Sequence, residues 1–438
     1  MTTHVFVIGL DDFNRRQLQT IRGADQCAFH NLLPYEMVVD PEEYPIEEMI
    51  ERGRRELAEA GVPVDAIIGH WDFPTTALLA IFRRDHGLPG PSLAANLIAE
   101  HKYWSRLRQQ RVIPDHIPAF QSLDPFDPQA EGRVELDFPF WIKPAIGFSS
   151  QMVYRVADAR ELHIALEGLR RGIRRFGAPF AHLLELAPLP DDIPRQVDAH
   201  YCVLEKPIGG WQCTLEGYIQ QGKVTVYGTV DSIRGGPLGS SLLRYEFPSE
   251  LPDGVRARMV EITERTIPAL ELDNTPFNVE YFWDRETDRI WLLEVNSRIS
   301  KSHCPLFVDV CGASHHEVAV DIAMGHRPEF PRWEGRYRAS TKFMLRRFED
   351  GVVTRVPSAA ELAALEAEFP GTRILMEVGE GDRLSELRGQ EVYSYEVGVI
   401  FMGGNDHREL EARYRELVAR LPLEFGPPPR SIREGGRH

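Results

Sequence analysis

Residues Pro276 to His303, PFNVEYFWDRETDRIWLLEVNSRISKSH, constrain the fold more than any other stretch of the chain. Asn278 to Trp283 is aromatic and branched, Asp284 to Asp288 is a polar turn, and Arg289 to Val295 is a second apolar run. That pattern predicts a β-hairpin. Side chains alternate along a strand, so Glu294 and Asn296 are expected on one face and Leu293 and Val295 on the other. With the turn centred near Glu286 or Thr287, Glu280 falls within a position or two of lying opposite Glu294. Two carboxylates and an amide oxygen then converge on one face of an otherwise apolar pair of strands. Like charges held so close are costly unless a cation neutralises them. A hard divalent ion with oxygen ligands, typically Mg²⁺ bound together with substrate phosphates, suits that set. Leu292 and Val295 mark a buried strand, where unpaired charge is avoided.

The rest of the chain narrows the partners. At 438 residues it is long enough for roughly three domains. It carries 50 Lys and Arg against 66 Asp and Glu, a net charge of −16, which argues against a general nucleic-acid or membrane-surface binder. No apolar run approaches the ~18 residues of a membrane-spanning helix. The first nine residues lack the basic start and apolar body of a signal peptide. The five cysteines, odd in number and without zinc-ligand spacing, are expected to be free thiols in a reducing cytoplasm.

In chain order, His4 to Gly9 and Asp65 to Gly69 are strands alternating with helical runs, which predicts an open, mostly parallel α/β sheet. No G-x-G-x-x-G motif accompanies them. The loops Asp11-Asp12 and His70-Trp71-Asp72 sit at the carboxyl edge, where such sheets bind ligands; helix capping is the alternative role. Ser92 is expected to cap one helix running to about Arg111, with Lys102 inside it. After a proline-rich connector, Phe138 to Pro144 is an apolar strand ending in Lys143, which needs an anionic partner or a route to solvent. Gly147, Ser149 and Ser150 follow in a small, hydroxylated turn able to close over an anion. One amphipathic helix is expected over Ala157 to Phe176, then strands at Ala199 to Leu204, Gln212 to Gln220 and Lys223 to Ser232, with a helix at Arg256 to Leu270. Residues 336–438 read as a separate smaller unit with a frayed tail from Gly426.

A helical lysine, a strand-end Lys-Pro with a Gly/Ser turn, a Glu-x-x-Ile hinge at Glu205 to Ile208, and the E…E-x-N hairpin follow one another in that order. This order resembles the ATP-grasp superfamily, in the branch with biotin carboxylase-like architecture and of the L-amino-acid ligase type; Glu294-Val295-Asn296-Ser297-Arg298 matches its E-x-N-x-R. The resemblance implies an α/β and α+β multidomain fold with a parallel N-terminal domain (1–113), a lid (114–205), an antiparallel catalytic core (206–335) and a small C-terminal unit (336–438). It implies that Lys102 and Lys143 hold the α- and β-phosphates of ATP, with the Gly147, Ser149, Ser150 turn as phosphate flap. The hinge at Glu205, Lys206 and Ile208 would read adenine through its backbone, and Glu205 or Glu216 would contact the ribose or a lysine. Glu280, Glu294 and Asn296 would bind two Mg²⁺, with Mn²⁺ able to substitute, and Arg298 would steady the transferred phosphoryl group. Beyond it, Lys301 or His303 is placed to meet a carboxylate or orient an amine, and Arg234 to meet a substrate carboxylate. The flap has one glycine where relatives often have more, and His101-Lys102 replaces a common Asp-Lys. The implied activity is a cytoplasmic ligase, a homodimer by family analogy, that joins a small-molecule carboxylate to an amine through an acyl phosphate. The alternatives are a bicarbonate-activating, carboxylase-like enzyme and a nucleotide-binding protein without turnover.

Overall fold

A computed structural model of the chain describes residues 2–39, 41–147 and 152–428. The N-terminal part comprises β1 (Thr3–Ile8), α1 (Asp12–Leu18), β2 (Cys27–Leu32), α2 (Tyr35–Val38), α3 (Ile46–Ala58), β3 (Ala66–Ile68), α4 (Thr75–Asp85), α5 (Leu93–Glu100) and α6 (Lys102–Val112). Its three strands are parallel in the order β2-β1-β3, as the strand–helix alternation predicts. Asp11 caps α1, its carboxylate accepting from the Asn14 amide at 2.7 Å.

The helix expected from Ser92 to Arg111 is two helices. Ser92 caps the first as anticipated, but His101 lies at φ −78°, ψ 101° and breaks the run. The fully buried His101 ring stacks on Trp104, 3.9 Å between centroids, and also meets Phe180. The break is therefore set by long-range packing, to which helix propensity is blind. Its consequence is that Lys102 opens α6 rather than lying mid-helix.

The lid region holds β4 (Phe120–Leu123), β5 (Phe140–Pro144), β6 (Tyr154–Val156), α7 (Ala159–Gly172), α8 (Arg174–Glu185) and β7 (Cys202–Glu205). Its four strands run in the order β4-β7-β5-β6, and α7 covers them with Leu162, Leu166 and Leu169. The single helix expected at 157–176 ends at Gly172, and a second helix, α8, begins at Arg174 and packs on α3. Gly147 of the flap turn is described, whereas Phe148, Ser149, Ser150 and Gln151 lie outside the described residues.

The remaining chain forms one large sheet. β8 (Trp211–Gln220), β9 (Lys223–Gly235), β10 (Ser241–Phe247), α9 (Asp253–Ala269), β11 (Thr275–Asp284), β12 (Arg289–Asn296), α10 (Cys304–Cys311) and α11 (His316–Ala323) are followed by β13 (Ala339–Arg347), β14 (Val352–Arg355), α12 (Ala359–Glu368), β15 (Thr372–Met376), β16 (Tyr395–Gly404), α13 (His407–Val418) and β17 (Glu424–Gly426). The eight-stranded order is β12-β11-β8-β9-β10-β13-β16-β15. Residues 336–428 thus have a core of their own, around Phe343, Ile400 and Leu410, yet three of their strands extend the same sheet as the hairpin. β10, which the sequence pattern did not reveal, makes that join by pairing with β9 and β13. All five cysteines are free thiols. Among the described residues, no helix is long and apolar enough to cross a membrane.

Candidate active site

The hairpin forms as anticipated, with Glu280 directly opposite Glu294 and Asn278 opposite Asn296. A bulge lies between these pairs and Tyr281↔Leu292, leaving Leu293 as the extra residue. The bulge resets the alternation. Leu292 and Val295, three apart, both enter the core, while Leu293 does not share Val295's buried face as strict alternation predicts. The Glu280 carboxylate accepts from the Gln212 amide at 2.9 Å; burial, and then the charge of Glu294, raises its pKa. The Asn296 nitrogen donates to the Asn278 side-chain oxygen at 2.9 Å, so its own oxygen is the atom to meet a cation.

Cations reach this face from two directions. Lys102 Nζ donates to the Gly147 carbonyl at 2.5 Å and pairs with Glu294 at 3.0 Å. Burial by itself would raise the Glu294 pKa, but Lys102 and Lys143 outweigh it and hold the group below its ordinary value. Lys143, at the end of β5, pairs with Glu205 at 2.7 Å, and the other oxygen of Glu205 meets Arg106 Nε at 2.7 Å. Burial opposes the Glu205 charge too, yet the two cations bring its pKa down to about 2. Arg106 also donates to the Leu292 and Leu293 carbonyls at 3.1 and 2.7 Å. One buried guanidinium thereby ties α6, the hinge and the hairpin bulge together.

At the end of β12, Arg298 Nε donates to Asp72 at 2.6 Å, which brings the loop after β3 into the site. Asp72, Glu100, Lys102, Glu294, Asn296 and Arg298 line one cavity. Arg234 donates to the side-chain oxygen of Gln212 and to the Ser240 carbonyl, and so stands one residue removed from Glu280. Lys301 Nζ lies 4.1 Å over the Trp71 ring; burial, then Lys342, lower its pKa. Lys342 on β13 donates to Ser302 at 3.2 Å, so the C-terminal strands support the same loop.

Two expected site residues, Glu216 and His303, lie elsewhere. Glu216, expected at the ribose or a lysine, is fully buried and faces histidines instead, with His303 Nδ1 at 2.7 Å and His315 Nδ1 at 3.7 Å. Burial raises its pKa to about 7 and pushes that of His303 well below the ordinary histidine value. His303, 1% exposed, is therefore a partner of Glu216 inside the sheet rather than an open acceptor-side group. Lys206 donates to the Asp137 and Pro139 carbonyls at 2.8 and 3.3 Å, pinning the start of β5. Ile208 is half-buried in the segment after β7. In that segment Gly210 adopts φ 121°, and a Cβ there would stand 2.2 Å from the Trp283 carbonyl oxygen.

Sequence reasoning missed Arg106, Gln212 and Asn278. Arg106 lies four residues after Lys102, on the same helix face, and Asn278 lies two before Glu280, on the same strand face. Those spacings were available signals; nothing local marks Gln212. Among the described residues no group of three or more His, Cys, Asp or Glu is gathered for a metal. Two carboxylates and an amide oxygen fit Mg²⁺ only when other oxygens, such as phosphates, complete the shell.

Residues 136–305 match the family model for the ATP-grasp domain. The chain carries an ATP-grasp domain. The match covers the lid from residue 136 onward, the hinge, and the hairpin with Glu280, Glu294 and Arg298. The ATP-grasp fold extends through the chain in solved structures. An L-amino acid ligase from Bacillus licheniformis superposes with TM-score 0.70 at 18% identity, covering 98% of this chain and 99% of that one. A carboxyaminoimidazole ribonucleotide synthase from Aspergillus clavatus, complexed with ATP, gives 0.65 at 15% identity over 95% and 98%. The biotin carboxylase domain of a Hydrogenobacter thermophilus 2-oxoglutarate carboxylase, with MgADP and bicarbonate, gives 0.63 at 14% over 97% and 91%. At these identities the likeness is one of fold. No curated protein sequence matches the chain.

Proposed function

We propose that the chain is an ATP-dependent ligase that activates a carboxylate as an acyl phosphate, joins it to an amine, and releases ADP and phosphate. The observation that carries this reading is the directly opposed Glu280 and Glu294, with Asn296 beside them and Lys102, Lys143 and Arg298 arrayed around them. In this reading Lys102 and Lys143 hold the α- and β-phosphates, and the hinge from Glu205 to Ile208 frames the adenine. Glu280, Glu294 and Asn296 hold Mg²⁺, as two ions, or Mn²⁺ in its place. When bound, the metal neutralises phosphate charge and polarises the transferred group. Arg298, oriented by Asp72, steadies that group during attack by the carboxylate. Lys301 and Arg234 supply positive charge for the substrate carboxylate. His303 acts at one remove, holding its loop through Glu216. Most of the rate enhancement in such a site comes from positioning and charge neutralisation.

The test is ADP release across paired carboxylic acids and amines, with mass detection of the adduct. The reading expects release only when both partners are present, and a product weighing their sum less water. Release that depends on bicarbonate instead would replace it with the carboxylase-like reading. Nucleotide binding without turnover would leave a regulatory role.

A further inference from the structure

Glu100, the last residue of α5, stands in the wall of the same cavity as Lys102, Glu294 and Arg298. Two features make its position costly. A carboxylate at a helix C-terminus faces the negative end of the helix dipole, and a half-buried carboxylate loses part of its hydration. Its side chain accepts a hydrogen bond from Thr76 Oγ1 on α4. Thr76 is in turn fixed to the phosphoryl end of the hairpin: its carbonyl accepts from Asn96 Nδ2 at 3.2 Å, and Asn96 Oδ1 accepts from Ser297 Oγ at 2.9 Å. The Glu100 carboxyl is thus registered against Arg298 through a short chain of polar contacts. Among its described contacts it bonds to none of Glu280, Glu294 and Asn296. The charged groups facing it are Asp72 from the loop after β3, Lys102 from α6 and Arg298 from beyond β12.

We propose that Glu100 is the proton acceptor for the incoming amine. The proposal rests on the ligase reading above. An amine arrives in neutral water as an ammonium ion and cannot attack until it loses a proton. Glu100 takes that proton and becomes the neutral acid. The freed nitrogen lone pair attacks the acyl carbon, the carbon–nitrogen bond forms, and the carbon–oxygen bond to phosphate breaks. The remaining extra N–H proton leaves with the departing phosphate, so charge and atoms balance. Burial raises the Glu100 pKa to about 7, with Asp72 adding to the rise and Thr76, Lys102 and Arg298 opposing it. A base with a pKa close to the working pH is the efficient one.

The experiment compares wild type and Glu100→Gln with ATP, Mg²⁺ and an equimolar mixture of the twenty common L-amino acids, with and without hydroxylamine. Hydroxylamine is already a neutral nucleophile near neutral pH, so it captures an acyl phosphate without needing the base. The expected result is that Glu100→Gln loses amide formation by roughly 100-fold or more, within the range of general base catalysis. Hydroxamate formation stays close to wild type, and the acid limb of the wild-type pH profile near 7 disappears from the residual amide-forming rate. Equal loss in both arms assigns Glu100 to ATP handling or to structure and overturns the proposal. So does undiminished amide formation. If wild type itself yields neither amide nor hydroxamate, the ligase reading fails, and this role for Glu100 fails with it.

Discussion

At the scale of single residues, the site is a set of charges that neutralise one another. Glu294 lies opposite Glu280 and pairs with Lys102, and Glu294→Gln removes a proposed metal ligand while leaving shape unchanged. The variant is expected to fold with an unaltered melting temperature and lose at least ~100-fold in ADP release, since electrostatic groups of this kind contribute about 3 kcal/mol or more to the transition state. Glu205 has a different signature. Its folded pKa of about 2 lies below the ordinary 4.5, so its stabilisation is complete above 4.5 and is lost as pH falls through about 2. The loss is on the order of 3 kcal/mol, one pKa unit being about 1.4. Thermal melts across that window should show the acid-side slope in wild type and a shallower one in Glu205→Gln. That variant is also less stable at neutral pH by roughly 3–5 kcal/mol, because Arg106 and Lys143 stay buried without their carboxylate. The spacing of Glu294, Val295 and Asn296 made the shared face of Glu294 and Asn296 legible in the sequence, because strand periodicity is local. The Arg106–Glu205 pair spans 99 residues, and the His303–Glu216 pair spans 87. No local pattern reports contacts of that range, which is why His303 was expected to face the acceptor.

At the scale of elements, two interruptions place the lysines and the hinge. His101 divides what would be one helix, and its ring, stacked on Trp104 with the Trp104 amide donating to it at 3.3 Å, makes Lys102 the first residue of α6. Histidine is neither a strong helix former nor a breaker, so the break was not readable from composition; the packing of Trp104 and Phe180 decides it. Beyond β7, Gly210 lets the hinge cross Trp283 at a distance no side chain allows. Gly210→Ala must displace backbone, and its left-handed φ adds strain. The expected outcome is a lower melting temperature together with weakened nucleotide affinity, measured by titration calorimetry. A change in stability alone would show that the hinge path does not shape the nucleotide site.

At the scale of the whole molecule, the eight-stranded sheet overrides the division suggested by the chain. Residues 336–428 look independent in sequence because they repeat a complete strand–helix vocabulary and enclose their own apolar cluster. What joins them to the core is β10, whose Arg244 to Phe247 pair with Ser340 to Phe343. Calorimetry should therefore show core and C-terminal strands melting in one transition; two well-separated transitions would contradict this. The same pairing bears on how the protein is made. β10 leaves the ribosome long before β13, so its open edge waits for a partner synthesised about ninety residues later. An unpaired edge of that kind is a template for aggregation. Nonsense mutations between these strands should yield not a smaller working enzyme but a chain whose most adhesive surface was never closed.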